Sequence, residues 1–191
     1  VYWEGTPSNA VEPFKGEIDD VRMYTRPLAE YEIKQIIDWA ECGGVGDMVT
    51  EDLTLNVPSY EFDTIQDALS CLSGKTIAGN ATVTIQVADG TYTNYGKIEV
   101  AHPQGGQIHL IGNTTDPSQV DITFTGGGVF VGNGHSLGYL DGFTLNGSDT
   151  SYGIQVYRHG HLTGGSNLVV EGFTTGARVI TNSYAVLPSI V

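Results

Sequence analysis

The chain's 191 residues hold 22 acidic and 8 basic side chains, and the formal net charge of −14 argues against binding nucleic acid or an anionic membrane surface. Apolar residues make up 40%, enough for a core, while no apolar run approaches the ~18 residues of a membrane span, so no membrane insertion is expected. The length allows one domain and part of another. Acid is divided unevenly, 15 acidic and 4 basic residues over 1–67 against 7 and 4 afterwards, which marks a module boundary.

The chain opens Val1-Tyr2-Trp3-Glu4-Gly5, which reads as the middle of a strand, so a fragment of a longer protein is expected. Residues 14–24 alternate, with Ile18, Asp20, Arg22 and Tyr24 on one face and Asp19, Val21 and Met23 on the other. Pro27, Glu30 and Glu32 suit the first turn of a helix whose Ile33, Ile36, Ile37 and Ala40 share a side, and Gly43-Gly44 stops it. The string FKGEIDDVRMYTRPLAEYEIKQI resembles the last strand and closing helix of a concanavalin A-like (LamG-type) jelly-roll lectin domain. That resemblance implies a truncated lectin end over residues 1–44, and a structural calcium ion with Asp19 or Asp20 as one ligand. One carboxylate pair falls short of the roughly six to eight oxygens calcium takes. An Asp20–Arg22 pair on the strand face is the plainer reading.

Residues 45–58 read as an acidic linker and a lead-in strand. At Asp63-Thr64-Ile65-Gln66 a cap-like Asp63 has Gln66 three positions on, and Phe62, Ile65, Leu69 and Leu72 then line one side of a short helix stopped by Ser73-Gly74. A stack of parallel strands exposes a raw apolar end, so residues 62–72 are assigned to plug it. The two cysteines, Cys42 and Cys71, permit one disulfide but make no framework, and the favoured reading is a buried free thiol at each.

Strands are expected at Val83–Val87, 97–100, 107–111 and Val120–Phe124, with turns at Asp89-Gly90, residues 103–106 and 113–118. The later chain repeats itself. Gly128-Val129-Phe130-Val131, Gly153-Ile154-Gln155-Val156 and Gly176-Ala177-Arg178-Val179 share a Gly-apolar-x-Val pattern, with starts 25 and 23 residues apart. A period in the mid-twenties built of short strands and glycines predicts a stacked solenoid. The fold class is therefore mostly β: a right-handed parallel β-helix over residues 59–191 with an N-terminal capping helix, preceded by the partial jelly-roll end plus helix (1–44) and the linker (45–58). The segments LNVPSYEFDTIQDALSCL, VTIQVADGTYT, HPQGGQIHLIGNTTDP and VDITF resemble the opening of the pectin-lyase-like β-helix, most closely the version found in bacteriophage tail fibres and tailspikes.

The resemblance implies a virion-tail, extracellular protein that adheres to host-surface polysaccharide, contacts other virion tail proteins and forms a homotrimer. Alternatives are a β-helical depolymerase, lyase or glycoside hydrolase, and a secreted bacterial carbohydrate-binding adhesin, because this fold carries enzymes and inert stalks alike. Carboxylates, arginines and metal ligands that serve family enzymes in later coils have no clear match here, so no catalytic cofactor is expected.

Two patches are candidates for chemistry. Asp141-Gly142-Phe143-Thr144 recurs as Glu171-Gly172-Phe173-Thr174. If those corners sit on adjacent coils, about 4.8 Å apart, Asp141 and Glu171 resemble the carboxylate pair of a retaining glycosidase; otherwise both are solvated corner residues. Tyr157, Arg158, His159 and His161 form the densest aromatic and cationic patch, suited to a sugar ring and its carboxylate or hydroxyls. The plainer reading is a surface turn or subunit contact. No third metal ligand joins the two histidines, and His102 and His109 read as satisfied structural groups.

Overall fold

In a computed structural model of the chain, residues 25–27, 48–59, 61–147 and 152–188 are described. The lectin-like end expected over residues 1–44, with Asp19, Asp20 and Cys42, lies outside them apart from the exposed bend at 25–27. The described residues are mostly β, and every strand pairing is parallel.

The strands are β1 (Met48–Val49), β2 (Leu53–Val57), β3 (Thr76–Ile77), β4 (Val83–Val87), β5 (Gly90–Tyr95), β6 (Ile98–Val100), β7 (Ile108–Ile111) and β8 (Val120–Phe124). They continue as β9 (Val129–Val131), β10 (Ser136–Asp141), β11 (Phe143–Gly147), β12 (Tyr152–Val156), β13 (His161–Gly164), β14 (Leu168–Glu171), β15 (Thr175–Val179) and β16 (Tyr184–Val186). A first sheet runs β2-β4-β7-β10-β13-β16, a second β5-β8-β11-β14 and a third β6-β9-β12-β15, while β1 and β3 pair separately. From β4 onward the chain visits the first, second and third sheet in turn and then returns to the first. Each strand's partner is therefore one circuit away in sequence.

The Gly-apolar-x-Val repeat is the register of the third sheet. Val129, Ile154 and Ala177 are partners across β9, β12 and β15, as are Val131, Val156 and Val179. Strict alternation sends every second side chain inward. Ile85, Leu110 and Leu140 stack in the first sheet, Ile122 and Leu145 in the second, and all five are at most 1% exposed. Burying each such side chain contributes about 1.5–3 kcal/mol, so the three inner faces form one continuous aliphatic core.

The sequence places a turn at Asp89-Gly90, at the start of β5. Gly90 instead opens a strand, because Thr91, Tyr92 and Tyr95 are β-formers that align with β8.

One helix, Ile65–Leu72, follows β2, with Ile65, Ala68, Leu69 and Leu72 buried and Phe62 packed into the same core. Its cap is Thr64, one residue later than expected: Asp67 N–H donates to the Thr64 hydroxyl, and the Asp67 carboxylate accepts from Thr64 N–H at 2.9 Å. Gln66 is thus free to reach sideways, where its Oε1 accepts from Glu99 N–H in β6 at 2.9 Å, and Ile65 N–H donates to the Tyr95 hydroxyl in β5 at 2.7 Å. β5 and β6 are the first strands of their sheets. The helix packs against β2, β4 and β6 and supplies an acceptor to the Glu99 amide at the outer edge of β6.

Cys71 corrects the expected free thiol: it is disulfide-bonded. It lies on the half-exposed flank of the helix, off the buried stripe, where its sulfur can meet a partner. Cys42, the other cysteine of the sequence, lies outside the described residues.

Candidate functional site

Each passage from the third sheet back to the first includes, in three successive circuits, two consecutive residues with positive φ. These are Asn133 (56°) with Gly134 (82°), Arg158 (47°) with His159 (66°), and Thr181 (59°) with Asn182 (55°). Left-handed backbone costs a non-glycine residue about 1–2 kcal/mol, and a β-branched threonine is among the least suited to it. Hydrogen bonds between neighbouring turns hold the conformation. Gly134 N–H donates to Arg158 O (2.9 Å) and His159 N–H to Thr181 O (3.1 Å), with His161 N–H to His135 O and Tyr184 N–H to Gly160 O alongside. The result is a ridge of stacked turns.

On this ridge sit the four residues expected to meet sugar. The Arg158 guanidinium lies 5.9 Å from the Tyr157 ring centre, and its Nη1 is 3.5 Å from Asn133 Oδ1. Its contacts are neutral, unlike those of Lys97, whose Nζ meets Glu99 at 2.6 Å. Arg178 differs too, since it donates to the Tyr152 hydroxyl and lies over that ring. Arg158 and His159 are exposed and Tyr157 is half-buried. His161 opens β13, exposed, its ring stacked on Tyr184 at 5.2 Å with planes 6° apart. The structure thus brings Tyr157 to Arg158 and places His159 and His161 beside them in sequence on one edge.

Asp141 and Glu171 are not brought together. Asp141 ends β10 in the first sheet opposite Ile111, whereas Glu171 ends β14 in the second opposite Asn146. The conditional reading of stacked D/E-G-F corners is corrected, because Asp141 stands where the first sheet passes to the second and Glu171 where the second passes to the third. Asp141 is 4% exposed and accepts from Asn167 N–H at 2.8 Å and from its side-chain amide at 3.4 Å. Gly165 leaves the room it occupies, since a Cβ there would lie 2.1 Å from the Asp141 carboxyl carbon. Glu171 is exposed.

His102 is buried, its Nδ1 accepting from Gln104 N–H and its Nε2 donating to Lys75 O at 3.0 Å each, which sets the tautomer. His109 lies in β7, 5.8 Å from the Tyr139 ring of β10, and burial lowers its pKa from the ordinary histidine value. Among the described residues no three histidine, cysteine, aspartate or glutamate side chains are placed to share a metal ion. A reading of the sequence alone misses Asn133, Tyr139 and Tyr184; the 25- and 23-residue offsets that align the Gly-apolar-x-Val strands would have placed Asn133 and Tyr184 beside the patch. Scanned against protein families, curated proteins and solved structures, the chain matches none.

Proposed function

We propose that the chain is part of an extracellular adhesion protein of the tail-fibre or tailspike type, with host-surface polysaccharide held at residues 157–161. In this reading the three sheets are faces of a right-handed parallel β-helix that serves as a stiff shaft. The cyclic order of strands supports that winding, and parallel crossovers of one strand to the next in the same sheet are right-handed in nearly all proteins. A homotrimer and contacts with other virion tail proteins belong to the same proposal; a monomer by light scattering would count against them.

The observation that carries adhesion is the ridge of bonded left-handed turns, which holds Tyr157, Arg158 and His159 on a rigid edge with a cation unspent on any carboxylate. Binding is favoured over cleavage because Asp141 is committed to Asn167 and Glu171 lies in another sheet. A glycan array tests this directly. Arg158→Ala and His161→Ala are expected to weaken retention of a bound polysaccharide about tenfold each, the size of one lost charge-assisted contact. Unchanged retention in both sinks the proposal, and release of reducing ends would move it to the depolymerase.

One observation favours a second reading. The disulfide at Cys71 suits an oxidising compartment better than the reducing cytosol in which phage proteins assemble, and so favours a secreted adhesin with the same surface.

A further inference from the structure

Building on the adhesion reading, we infer that its ligand is an acidic polysaccharide laid along the stack axis, across the outer face of the first sheet. Three observations converge on that face. In a protein of net charge −14, no exposed or half-exposed residue in the six strands of this sheet is aspartate or glutamate, since its one carboxylate, Asp141, is buried. The other two large sheets do present acid there, as Glu99 in the third and Asp121 and Glu171 in the second.

All five histidines of the chain lie in this sheet or in the passages that lead into it: His102, His109, His135, His159 and His161. Only His102 among them is buried.

Four consecutive strands each turn one aromatic ring outward: His109 on β7, Tyr139 on β10, His161 on β13 and Tyr184 on β16. The rings pair across neighbouring strands, His109 with Tyr139 and His161 with Tyr184. The second pair is parallel within 6°. The two pairs are offset along the strands, since His161 lies opposite Ser136 and Tyr139 opposite His109, so the ligand meets two aromatic steps, each offering an imidazole and a phenol. Strands repeat about every 4.8 Å, close to the length of one pyranose in an extended chain. Arg158 flanks the strip and supplies a fixed positive charge.

The test uses the whole chain and three polymers: a polyuronate, dextran sulfate and neutral dextran, with affinity read by biolayer interferometry. At least one anionic polymer is expected to bind tenfold or more tighter than dextran. Preference for the polyuronate identifies carboxylate as the recognised group, and preference for dextran sulfate identifies sulfate. Arg158→Gln and the double variant His109→Ser, Tyr139→Ser should each lose at least fivefold, while Arg178→Gln on the third sheet should lose nothing. If the double variant does not fold by circular dichroism, Tyr184→Ser, at a side chain 59% exposed, takes its place. Equal binding of dextran and both anionic polymers overturns this inference and leaves the adhesion reading standing. Failure of every glycan, on this panel and on the array, overturns both.

Discussion

Gly128 has no room for a methyl group. A Cβ built there would lie 1.9 Å from the carbonyl oxygen of Gly153, its counterpart one circuit later. Gly128→Ala must push two strands of the third sheet apart, and a loss of about 2–3 kcal/mol is expected, seen as a lower urea midpoint. A variant as stable as the parent would mean that the strands do not approach this closely. The glycines that begin the repeat were legible as corners, but the stacking that demands them was not, since no single-residue pattern states a backbone distance. His109 makes a second prediction. Burial makes charging this imidazole harder in the folded chain than in the unfolded one, so its folded pKa is lowered. The unfolded chain then takes the proton first as pH falls. His109 contributes its stability above the ordinary histidine pKa, near 6.5, and that contribution drains away as pH falls toward the lowered folded value. The melting temperature of His109→Gln should therefore decline less between pH 7.5 and 5 than that of the parent. Parallel declines would show that burial is not felt.

At the scale of the element, the helix Ile65–Leu72 is short enough that its ends decide whether it forms. Thr64→Ala removes the hydroxyl that Asp67 N–H uses and should cost about 1 kcal/mol. Gln66→Ala leaves the helix intact but strips Glu99 N–H of its acceptor. Hydrogen exchange at Glu99 should then quicken while exchange within the helix does not; uniform quickening would mean that Gln66 supports the helix rather than β6. The apolar side of this helix was plain from Phe62, Ile65, Leu69 and Leu72. The shift of the cap from Asp63 to Thr64 was not, because Asp and Thr are both good caps and the deciding contact, Gln66 with β6, is made some thirty residues away. The ridge of left-handed turns was half legible. Asn133-Gly134 and Asn182 are residues that accept positive φ, but Arg158, His159 and Thr181 adopt it only because neighbouring turns hold them there.

For the molecule as a whole, each circuit touches mainly the one before and the one after, so stability should vary along the stack rather than being shared evenly. Inner residues of β4, β7, β8 and β10 are almost wholly buried, whereas Ala177 and Ala185, the inward residues of β15 and β16, are only partly buried and Val179 is 44% exposed. Amide exchange should be slowest in the former strands and faster in the latter by orders of magnitude; equal protection throughout would mean a single cooperative unit. The period of the later stack was readable because Gly-apolar-x-Val recurs at offsets of 25 and 23 residues. The aromatic strip was not, because the irregularity between Leu137 and Leu140 shifts Tyr139 out of step with its successors. One asymmetry follows from the hydrogen bonds of Gln66 and Ile65. Gln66 occupies the Glu99 amide on the outer edge of β6 and Ile65 ties the helix to the Tyr95 side chain of β5, so another chain approaching those two edges meets the helix first. A strand that adds to the second or third ladder therefore finds β14 or β15 the more open edge, which gives those two ladders a direction of growth like that of a zipper with its stop sewn in at one end.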